Sequence, residues 1–434
     1  MPFQAWAIPW LGNELPRAVV GYLFAVACYF TVGASLLMVV LEHRAQREGN
    51  QFLLSFLQDW SRFILLMTTV LGLVLAAGAW LVAAVTEPAA VFVLTRVLFW
   101  VWGILWVLAG LALCSGLLHY SGWGAVAPGH HLVVGWVMAG CAWGSLFVVN
   151  GILAFLLDPG AWLETGRLLD GFFNATFNPS LLVHAGLALG IGGLFTLVAG
   201  AETDPPRLRS VLVRTASWFA LAGFTLAPVG EAWQVAVMPP AAREALFGPS
   251  GHGPGVFAIG PALAILIVAF LATGPLVRTA VTPRPLAFLL LLLGLAAAGV
   301  SGWSREAARA PWVISGYLQV NGLGPREANA ARVEGFLRRA RYARSRTTAN
   351  AAAGEPASAG QELFRFQCGC CHTTTGVRGL RRIVQGWDVE TIDHQLGRLE
   401  KLRGVMPAFA GTDAERRALA RWLASLAVPK GGKP

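Results

Sequence analysis

Residues 368–372 (CGCCH) have the types and spacing needed to hold a porphyrin covalently. In a C-x-x-C-H run, two cysteines one helical turn apart form thioethers to one haem, and the adjacent histidine binds the iron. A zinc site would need a second Cys/His pair at matching spacing, and His394 alone does not supply one. We therefore expect one covalent haem c on Cys368 and Cys371, with His372 as the proximal ligand and Cys370 as a bystander.

A second axial ligand is expected from the segment that runs from Gly404 to Phe409. It contains Met406 directly before a proline, in a polar, glycine-bounded loop that is a poor setting for a core side chain. A methionine thioether is a soft axial ligand, and His/Met ligation raises the potential of a haem. We therefore expect Met406 to bind the iron, with core packing as the alternative.

Two short helices should position these residues. Residues 360–366 have the pattern of a short helix before the haem loop. Further on, Thr412 and Glu415 are typical of a helix N-cap with an acidic first turn. Apolar residues follow at helical spacing: Leu419, Trp422, Leu423 and Leu426. The order of helix, haem loop, methionine loop and helix makes residues 358–428 resemble a small class I cytochrome c.

The rest of the chain has the composition of a membrane protein. Of its 434 residues, 56% are hydrophobic and only 13% are charged, and the mean hydropathy is +0.59. Eight apolar runs approach or exceed the roughly 20 residues that a membrane helix needs. They are 17–41, 61–85, 90–118, 132–156, 180–200, 211–230, 255–277 and 284–303. The predicted fold class is all-α: a polytopic helical bundle in the lipid bilayer with a small all-α cytochrome domain, and no nucleic-acid partner is expected.

An even number of spans places the N-terminus and the haem domain on the same side of the membrane. The first apolar run lacks a basic leader, so we expect it to be a span rather than a cleaved signal. With the N-terminus outside, the inner loops hold more arginine than the outer ones, as the positive-inside rule requires. The inner set is Arg44, Arg47, Arg207, Arg209, Arg278 and Arg284, and the outer set is Arg17, Arg96, Arg167 and Arg243. Haem attachment also takes place outside the bacterial inner membrane, so we expect a periplasmic N-terminus and cytochrome.

Three regions are predicted along the chain. Residues 1–312 form the membrane bundle, 313–357 a basic helix and flexible linker, and 358–434 the cytochrome domain. The arginine-rich stretch 326–346 is either a charged spacer or a docking surface for an acidic partner or lipid headgroups. Residues 347–359 are rich in small and polar residues, which is typical of a flexible linker.

One histidine lies in the apolar zone of a predicted span. His184 falls about one turn into the fifth span, and ionisable residues at such positions are functional candidates. Its imidazole is expected either to bind a haem iron or to hydrogen-bond to a neighbouring helix. His252 and Met238, near the outer surface, are candidate partners for that iron. The histidines at the inner helix ends are expected mainly at the interface, with a second haem as the lesser alternative: His43, His119, His130 and His131.

Several segments are similar to subunit I of cytochrome bd quinol oxidase. They are Val149-Asn150-Gly151, Phe177-Asn178-Pro179, Val183-His184-Ala185-Gly186, a short loop from Gly230 to Pro239, and Glu306, Arg309, Pro311 and Trp312. The resemblance covers roughly residues 15–320. It implies one haem b with His184 as a ligand, a glutamate of a haem site at Glu306, and a second helical subunit as partner.

Other functional residues of that family have no counterpart here. Phe24 stands near the position of its first-span histidine, and residues 91–118 contain no Asp or Glu. Ala241 and Leu246 replace the lysine and glutamate of its quinol loop, and Ala262 replaces a methionine ligand. The resemblance therefore does not imply an oxygen-reducing site, and no catalytic residue is expected.

The expected function is membrane-bound electron transfer through the covalent haem. Electrons would pass between other respiratory-complex membrane subunits, or the quinone pool, and a periplasmic cytochrome or redox enzyme. Three alternatives stay open. They are a bd-like terminal oxidase subunit, a quinol:cytochrome c oxidoreductase subunit, and a haem-free membrane scaffold that anchors one cytochrome c in a larger complex.

Overall fold

The structure is a computed structural model that describes residues 8, 10–248, 254–340, 356–402 and 406–427 of the chain. Within these residues, eight helical segments are long and apolar enough to cross a membrane. They are α1 (Glu14–Glu48), the continuous unit of α2 (Gln51–Leu66), a π-helix (Met67–Gly72) and α3 (Leu73–Thr86), then α5 (Phe99–Ser121), α6 (Pro128–Leu157), α9 (Phe177–Ala201), α10 (Pro206–Val237), α12 (Pro254–Thr273) and α13 (Arg284–Arg309). The predicted number of spans and the all-α bundle are confirmed.

Short elements connect and follow the spans. They are α4 (Pro88–Val97), α7 (Trp162–Thr165), α8 (Leu168–Phe172), α11 (Pro240–Phe247), a 3₁₀ turn (Thr279–Val281), strands β1 (Trp312–Ile314) and β2 (Leu318–Gln319), α14 (Pro325–Glu334), α15 (Phe336–Arg339), α16 (Pro356–Leu363), a π-helix (Phe364–Cys368), α17 (Leu380–Ile383), α18 (Val389–Leu396), α19 (Leu399–Leu402) and α20 (Asp413–Leu426).

The span boundaries differ from the prediction most at the starts of the second and third spans. The second span begins at Gln51 rather than at 61, because the Asn50 side chain caps a new helix by accepting from the Leu53 amide at 3.1 Å. The third begins at Phe99, because the backbone at Leu98 leaves the helical region and separates α4 from α5. Hydropathy alone could not locate these boundaries, since the residues on both sides are apolar or mixed.

The spans alternate in direction, which gives the bundle two ends. At the end where α1 begins, here called the N-terminal face, Arg17 pairs with Glu87 after α3. At the same end, the Ser315 hydroxyl donates to the Leu157 carbonyl at the end of α6 at 2.7 Å. At the other end, called the opposite face, Arg284 at the start of α13 pairs with Glu202 after α9. The bundle therefore presents α1 and the end of α13 on one face.

Helix α9 lies in the middle of the bundle and is rich in glycine on its packed sides. A Cβ at Gly186 would lie 2.7 Å from the Ala227 amide nitrogen of α10, and one at Gly193 would lie 2.7 Å from that of Ala220. Small residues allow membrane helices to approach this closely and pack by van der Waals contact. The position of α9 matters for function because it carries His184.

The segment after the last span belongs to two packing units. Ile314 and Leu318 of the β1–β2 hairpin pack with Phe155 of the bundle. By contrast, Ala328 of α14 and Phe336 of α15 are buried in the core of the cytochrome domain. Residues 325–339 therefore lie against the cytochrome rather than in a solvated spacer. Residues 356–359, predicted as the end of the flexible linker, instead begin α16, and the stretch 341–355 lies outside the described residues.

Candidate haem-binding site

The haem loop begins at the end of the π-helix that continues α16. The amides of Cys371 and His372 both donate to the Cys368 carbonyl, at 3.0 and 2.8 Å. This tight turn holds both cysteines and the histidine within one loop. The thiols of Cys368, Cys370 and Cys371 are all free of disulfides. The loop therefore presents the donor set that thioether attachment of haem needs.

The His372 ring has the orientation that a metal-binding histidine needs. Its Nδ1 donates to the Arg378 carbonyl oxygen at 3.1 Å. Since a carbonyl only accepts, the ring proton is fixed on Nδ1 and the lone pair remains on Nε2. Burial lowers the pKa of His372, which favours the neutral imidazole. The residue predicted as proximal ligand is thus preset for iron binding through Nε2.

The surface of the cytochrome domain also suits a porphyrin. Four large apolar side chains between the haem loop and the methionine loop are exposed to water: Val377, Ile383, Trp387 and Leu402. Such surface is unfavourable on a small domain unless an apolar group covers it. The donor atoms and this apolar surface together fit a covalent haem c.

The methionine loop is fastened to the haem loop by a residue that the sequence did not single out. The Gln367 amide donates to the Ala410 carbonyl at 2.7 Å and accepts from the Ala410 amide at 3.0 Å. Gln367 directly precedes Cys368, and Ala410 follows Met406 by four residues. Met406 is half-buried, and residues 403–405 before it lie outside the described part. Its role as axial ligand stays a prediction.

The haem loop rests on the N-terminal end of the first membrane helix. The Val377 amide donates to the Trp10 carbonyl at 2.7 Å, and the Asn13 side-chain amide donates to the Gly369 carbonyl at 3.4 Å. Arg378 forms an ion pair with Glu14, the first residue of α1. The start of the first span and the cytochrome therefore lie at the same face of the bundle, as an even number of spans requires.

His184 is buried in the bundle, and both of its ring nitrogens have partners. Nε2 lies 3.3 Å from the Arg305 guanidinium, which can only donate, so Nε2 accepts. Nδ1 lies 2.7 Å from the Tyr29 hydroxyl and carries the ring proton in the neutral form. These are the hydrogen bonds to neighbouring helices that the sequence left as the alternative to iron. The sequence did not indicate Tyr29 or Arg305 as partners; their polar side chains in or beside apolar runs were the available signal.

A cavity of about 30 Å³ adjoins His184, with Glu231, Gln234, Met238 and Arg305 in its lining. That volume is suited to water and is far below the size of a porphyrin. Met238, one suggested partner, lines the same cavity, whereas His252 lies outside the described residues. The residues as arranged do not fit a haem b, since Arg305 holds the nitrogen that iron would need. Ligation by His184 stays a prediction.

Glu306, the residue matched to a haem-site glutamate, has a structural partner. It pairs with Arg309, whose guanidinium also donates to the Val313 carbonyl at 2.9 Å. These contacts join the end of α13 to the hairpin that follows it.

The histidines at the opposite face divide into two kinds. His43 and His130 are exposed, as expected of interfacial residues. The expectation was wrong for His119 and His131, which are buried. Both contact the buried Glu42 of α1, whose place in the sequence at the end of an apolar run does not indicate this contact. The carboxylate compensates the burial of the two imidazoles, and hydropathy cannot reveal such a pairing.

Eight candidate membrane helices joined to a domain with the residues of covalent haem attachment define a multi-pass membrane c-type cytochrome. Residues 355–423 match the family model of cytochrome c oxidase, cbb3-type, subunit III. The fold is similar to the structure of bd oxidase from Geobacillus thermodenitrificans, with a TM-score of 0.59 and 13% identity over 72% of this chain and 91% of that chain. No curated protein matches the chain. The chain thus joins a bundle of bd-oxidase fold to a C-terminal cytochrome c domain.

Proposed function

We propose that the chain is a respiratory electron-transfer subunit that acts through one haem c. Cys368 and Cys371 hold the haem, and His372 and Met406 bind its iron. Electrons pass between the membrane, through other respiratory subunits or the quinone pool, and a periplasmic cytochrome or redox enzyme. The similarity of the bundle to a bd oxidase fold and the match of residues 355–423 support this reading.

The docking of the haem loop on α1 is the observation that carries the proposal. A cytochrome that only hung from a linker would need no contacts between its haem loop and the bundle. Here the Trp10–Val377, Asn13–Gly369 and Glu14–Arg378 contacts fix the haem-bearing loop at the N-terminal face. A fixed position supports electron exchange between the haem and a redox centre in or beside the membrane.

The exposed surface of the cytochrome domain carries both signs of charge. Four cationic side chains are exposed in the same segment as the apolar group described above, beside three exposed acids: Arg381, Arg382, Arg398 and Lys401, with Asp388, Glu390 and Glu400. Complementary charge steers redox partners together and makes the association rate depend on salt. We therefore expect the periplasmic partner to meet this segment with a mixed pattern of charges.

The test is reduction of haem c from the membrane. Vesicles containing the full chain and its respiratory partners receive a respiratory substrate, and haem c absorbance is followed in time. Glu14→Arg places two like charges together at Arg378 and should slow the reduction several-fold without loss of haem. Glu164→Arg, which changes an exposed acid on the short helix α7, is the matched control. Equal rates in wild type and Glu14→Arg would contradict a role of the docked loop.

A haem-free scaffold is the second candidate, because His184 has hydrogen-bond partners at both nitrogens and borders a cavity of about 30 Å³. A pyridine haemochrome spectrum of the purified chain shows whether the bundle holds a haem. Haem c alone means that the bundle itself carries no electrons, and equal rates of haem c reduction in wild type and Glu14→Arg would then favour the scaffold. Haem b that disappears in His184→Ala supports a haem ligand in the bundle, and haem b that survives this change points to another ligand.

A further inference from the structure

Three ionisable side chains from three helices meet inside the bundle near its opposite face. Glu42 of α1, His119 of α5 and His131 of α6 are 0%, 1% and 4% exposed. One ligand atom of each lies within 4.8 Å of the others. A carboxylate removed from water in this way is unfavourable unless positive charge compensates it. None of these residues takes part in the haem sites described above.

The hydrogen bonds of His131 show where that positive charge must lie. Its Nε2 is 2.8 Å from the His119 carbonyl oxygen, and its Nδ1 is 2.7 Å from Glu42 Oε1. Both neighbours accept if Glu42 is ionised, but a neutral imidazole carries a single proton. Nε2 takes that proton, since a carbonyl can only accept. The lone pair on Nδ1 then faces a carboxylate oxygen 2.7 Å away, so either a second proton on His131 or a metal ion bound by both side chains must compensate the contact.

We propose that Glu42, His119 and His131 bind a divalent first-row transition metal ion of the Zn²⁺ or Fe²⁺ class. His119 Nε2 lies 2.8 Å from Glu42 Oε2, so a second imidazole nitrogen converges on the same carboxylate. Two imidazoles and one carboxylate form a donor set for these ions. A metal ion would be bound by all three side chains, whereas a proton shared by His131 and Glu42 stabilises the contact between those two alone.

The surroundings have the outer contacts that metal ligands make in proteins. The bond from His131 Nε2 to a backbone carbonyl fixes the ring with Nδ1 toward the ion. The Gln46 amide donates to Glu42 Oε1 at 2.8 Å and orients the carboxylate. Gly135 leaves room for the His119 ring, because a Cβ there would lie 3.1 Å from its Cδ2.

Space for a further small ligand lies beside His119, one of the three proposed metal ligands. A second cavity of about 30 Å³ is lined by His119, Met138, Ser35 and Ser61 among others. It has room for water and carries hydroxyl groups that can hold it. Three protein ligands with an open position are typical of sites that bind a further small ligand on the metal. We infer that water takes this position.

The experiment measures metal binding by the full chain in detergent after treatment with a chelator. Zn²⁺ is titrated, and total metal is determined with the haem iron subtracted. We expect one Zn²⁺ per chain. His119→Ala and His131→Ala should each weaken binding by about tenfold or more, and loss of the outer contact in Gln46→Ala by about tenfold. His43→Ala and His130→Ala, exposed neighbours of the ligands, are matched controls that should bind as wild type.

Haem content and size-exclusion profile identify variants that fail to fold. The wild-type chain can test the metal site without any variant. Co²⁺ bound by two imidazoles and a carboxylate gives visible ligand-field absorption and is displaced by Zn²⁺. Stoichiometric Co²⁺ bands in the wild type support the site. Zn²⁺ binding no tighter than in the His119→Ala/His131→Ala double variant, or absence of Co²⁺ bands, overturns it and leaves a buried proton-sharing triad.

Discussion

At His372 the Nδ1–H group donates a hydrogen bond to a backbone carbonyl, and the lone pair on Nε2 remains available. At His184, by contrast, both ring nitrogens form hydrogen bonds, one with Tyr29 and one with Arg305. The same side chain is therefore preset for iron in the cytochrome domain and satisfied by protein groups in the bundle. Which atoms surround an imidazole decides between these roles, because each ring nitrogen can make only one such bond.

Covalent attachment can be tested at single thiols. Cys371→Ala should abolish covalent haem staining on a denaturing gel, because one thioether and the local pocket are lost. Cys370→Ala changes the buried thiol between the two attachment cysteines and should keep the stain. Full covalent staining in Cys371→Ala would refute the assignment.

The second axial ligand can be tested through the haem potential. Met406→Ala should leave the haem attached but lower its midpoint potential, because thioether ligation favours ferrous iron. A redox titration of the full chain measures the change, and Met138→Ala in the bundle is the control. An unchanged potential in Met406→Ala would mean that another group binds the iron.

At the scale of elements, the cytochrome core depends on the crossing of α16 and α20. A Cβ at Gly360 would lie 2.5 Å from the Ala418 carbonyl, so only glycine allows this approach. The N-cap predicted for α20 is confirmed, and it has the form of a capping box: the Glu415 amide donates to the Thr412 hydroxyl at 3.3 Å, and the Glu415 carboxylate accepts from the Thr412 amide. Glu415 also accepts from the Phe336 and Leu337 amides, at 2.8 and 2.9 Å. The Glu415 carboxylate thus takes part in the N-terminal cap of α20 and also holds α15 against the cytochrome domain.

Loss of the cap should destabilise the cytochrome domain. Thr412→Ala removes the hydroxyl that accepts from the Glu415 amide, and we expect a loss of about 1 kcal/mol in free energy of unfolding. Denaturant unfolding followed by haem absorbance gives the value. Thr375→Ala, at an exposed loop position, should change it little. Equal losses in the two variants would show that the cap contributes nothing specific.

For the whole molecule, the arrangement of domains predicts the result of proteolysis. Protease added to intact spheroplasts should cut within 347–355, before α16 begins, and give a small haem-staining band on a denaturing gel. After cleavage the fragment should stay on the membrane until it is denatured. Its hydrogen bonds to α15 and to Trp10 do not depend on an intact linker. Cleavage only in inverted vesicles would reverse the predicted topology.

The bundle should not reduce oxygen by itself. The resemblance places Phe24 near the position of a histidine ligand of the similar oxidase family, α5 contains no Asp or Glu, and the Arg305 guanidinium donates to His184 Nε2. An oxygen-reducing centre needs a haem iron with an open coordination position and side chains that deliver protons. We expect no quinol-dependent oxygen uptake by the purified chain in an oxygen electrode. Cyanide-sensitive uptake would show that other residues supply these parts.

The sequence by itself determined the number of spans and the capped start of helix α20, and it predicts the haem attachment residues. These depend on spacing within a few residues or on continuous hydropathy, which a chain carries locally whatever its tertiary fold. Boundaries were less certain, as at Gln51, because apolar runs do not show where a helix is capped.

Only the tertiary structure decided which distant residues meet. Asn13 and Gly369, which join the cytochrome to α1, are 356 residues apart, and Glu42 and His131 are 89 apart. Hydropathy shows that a helix crosses the membrane but not which helix packs beside it. For that reason His131 looked interfacial in sequence, although α1 supplies the buried carboxylate that keeps it inside the bundle.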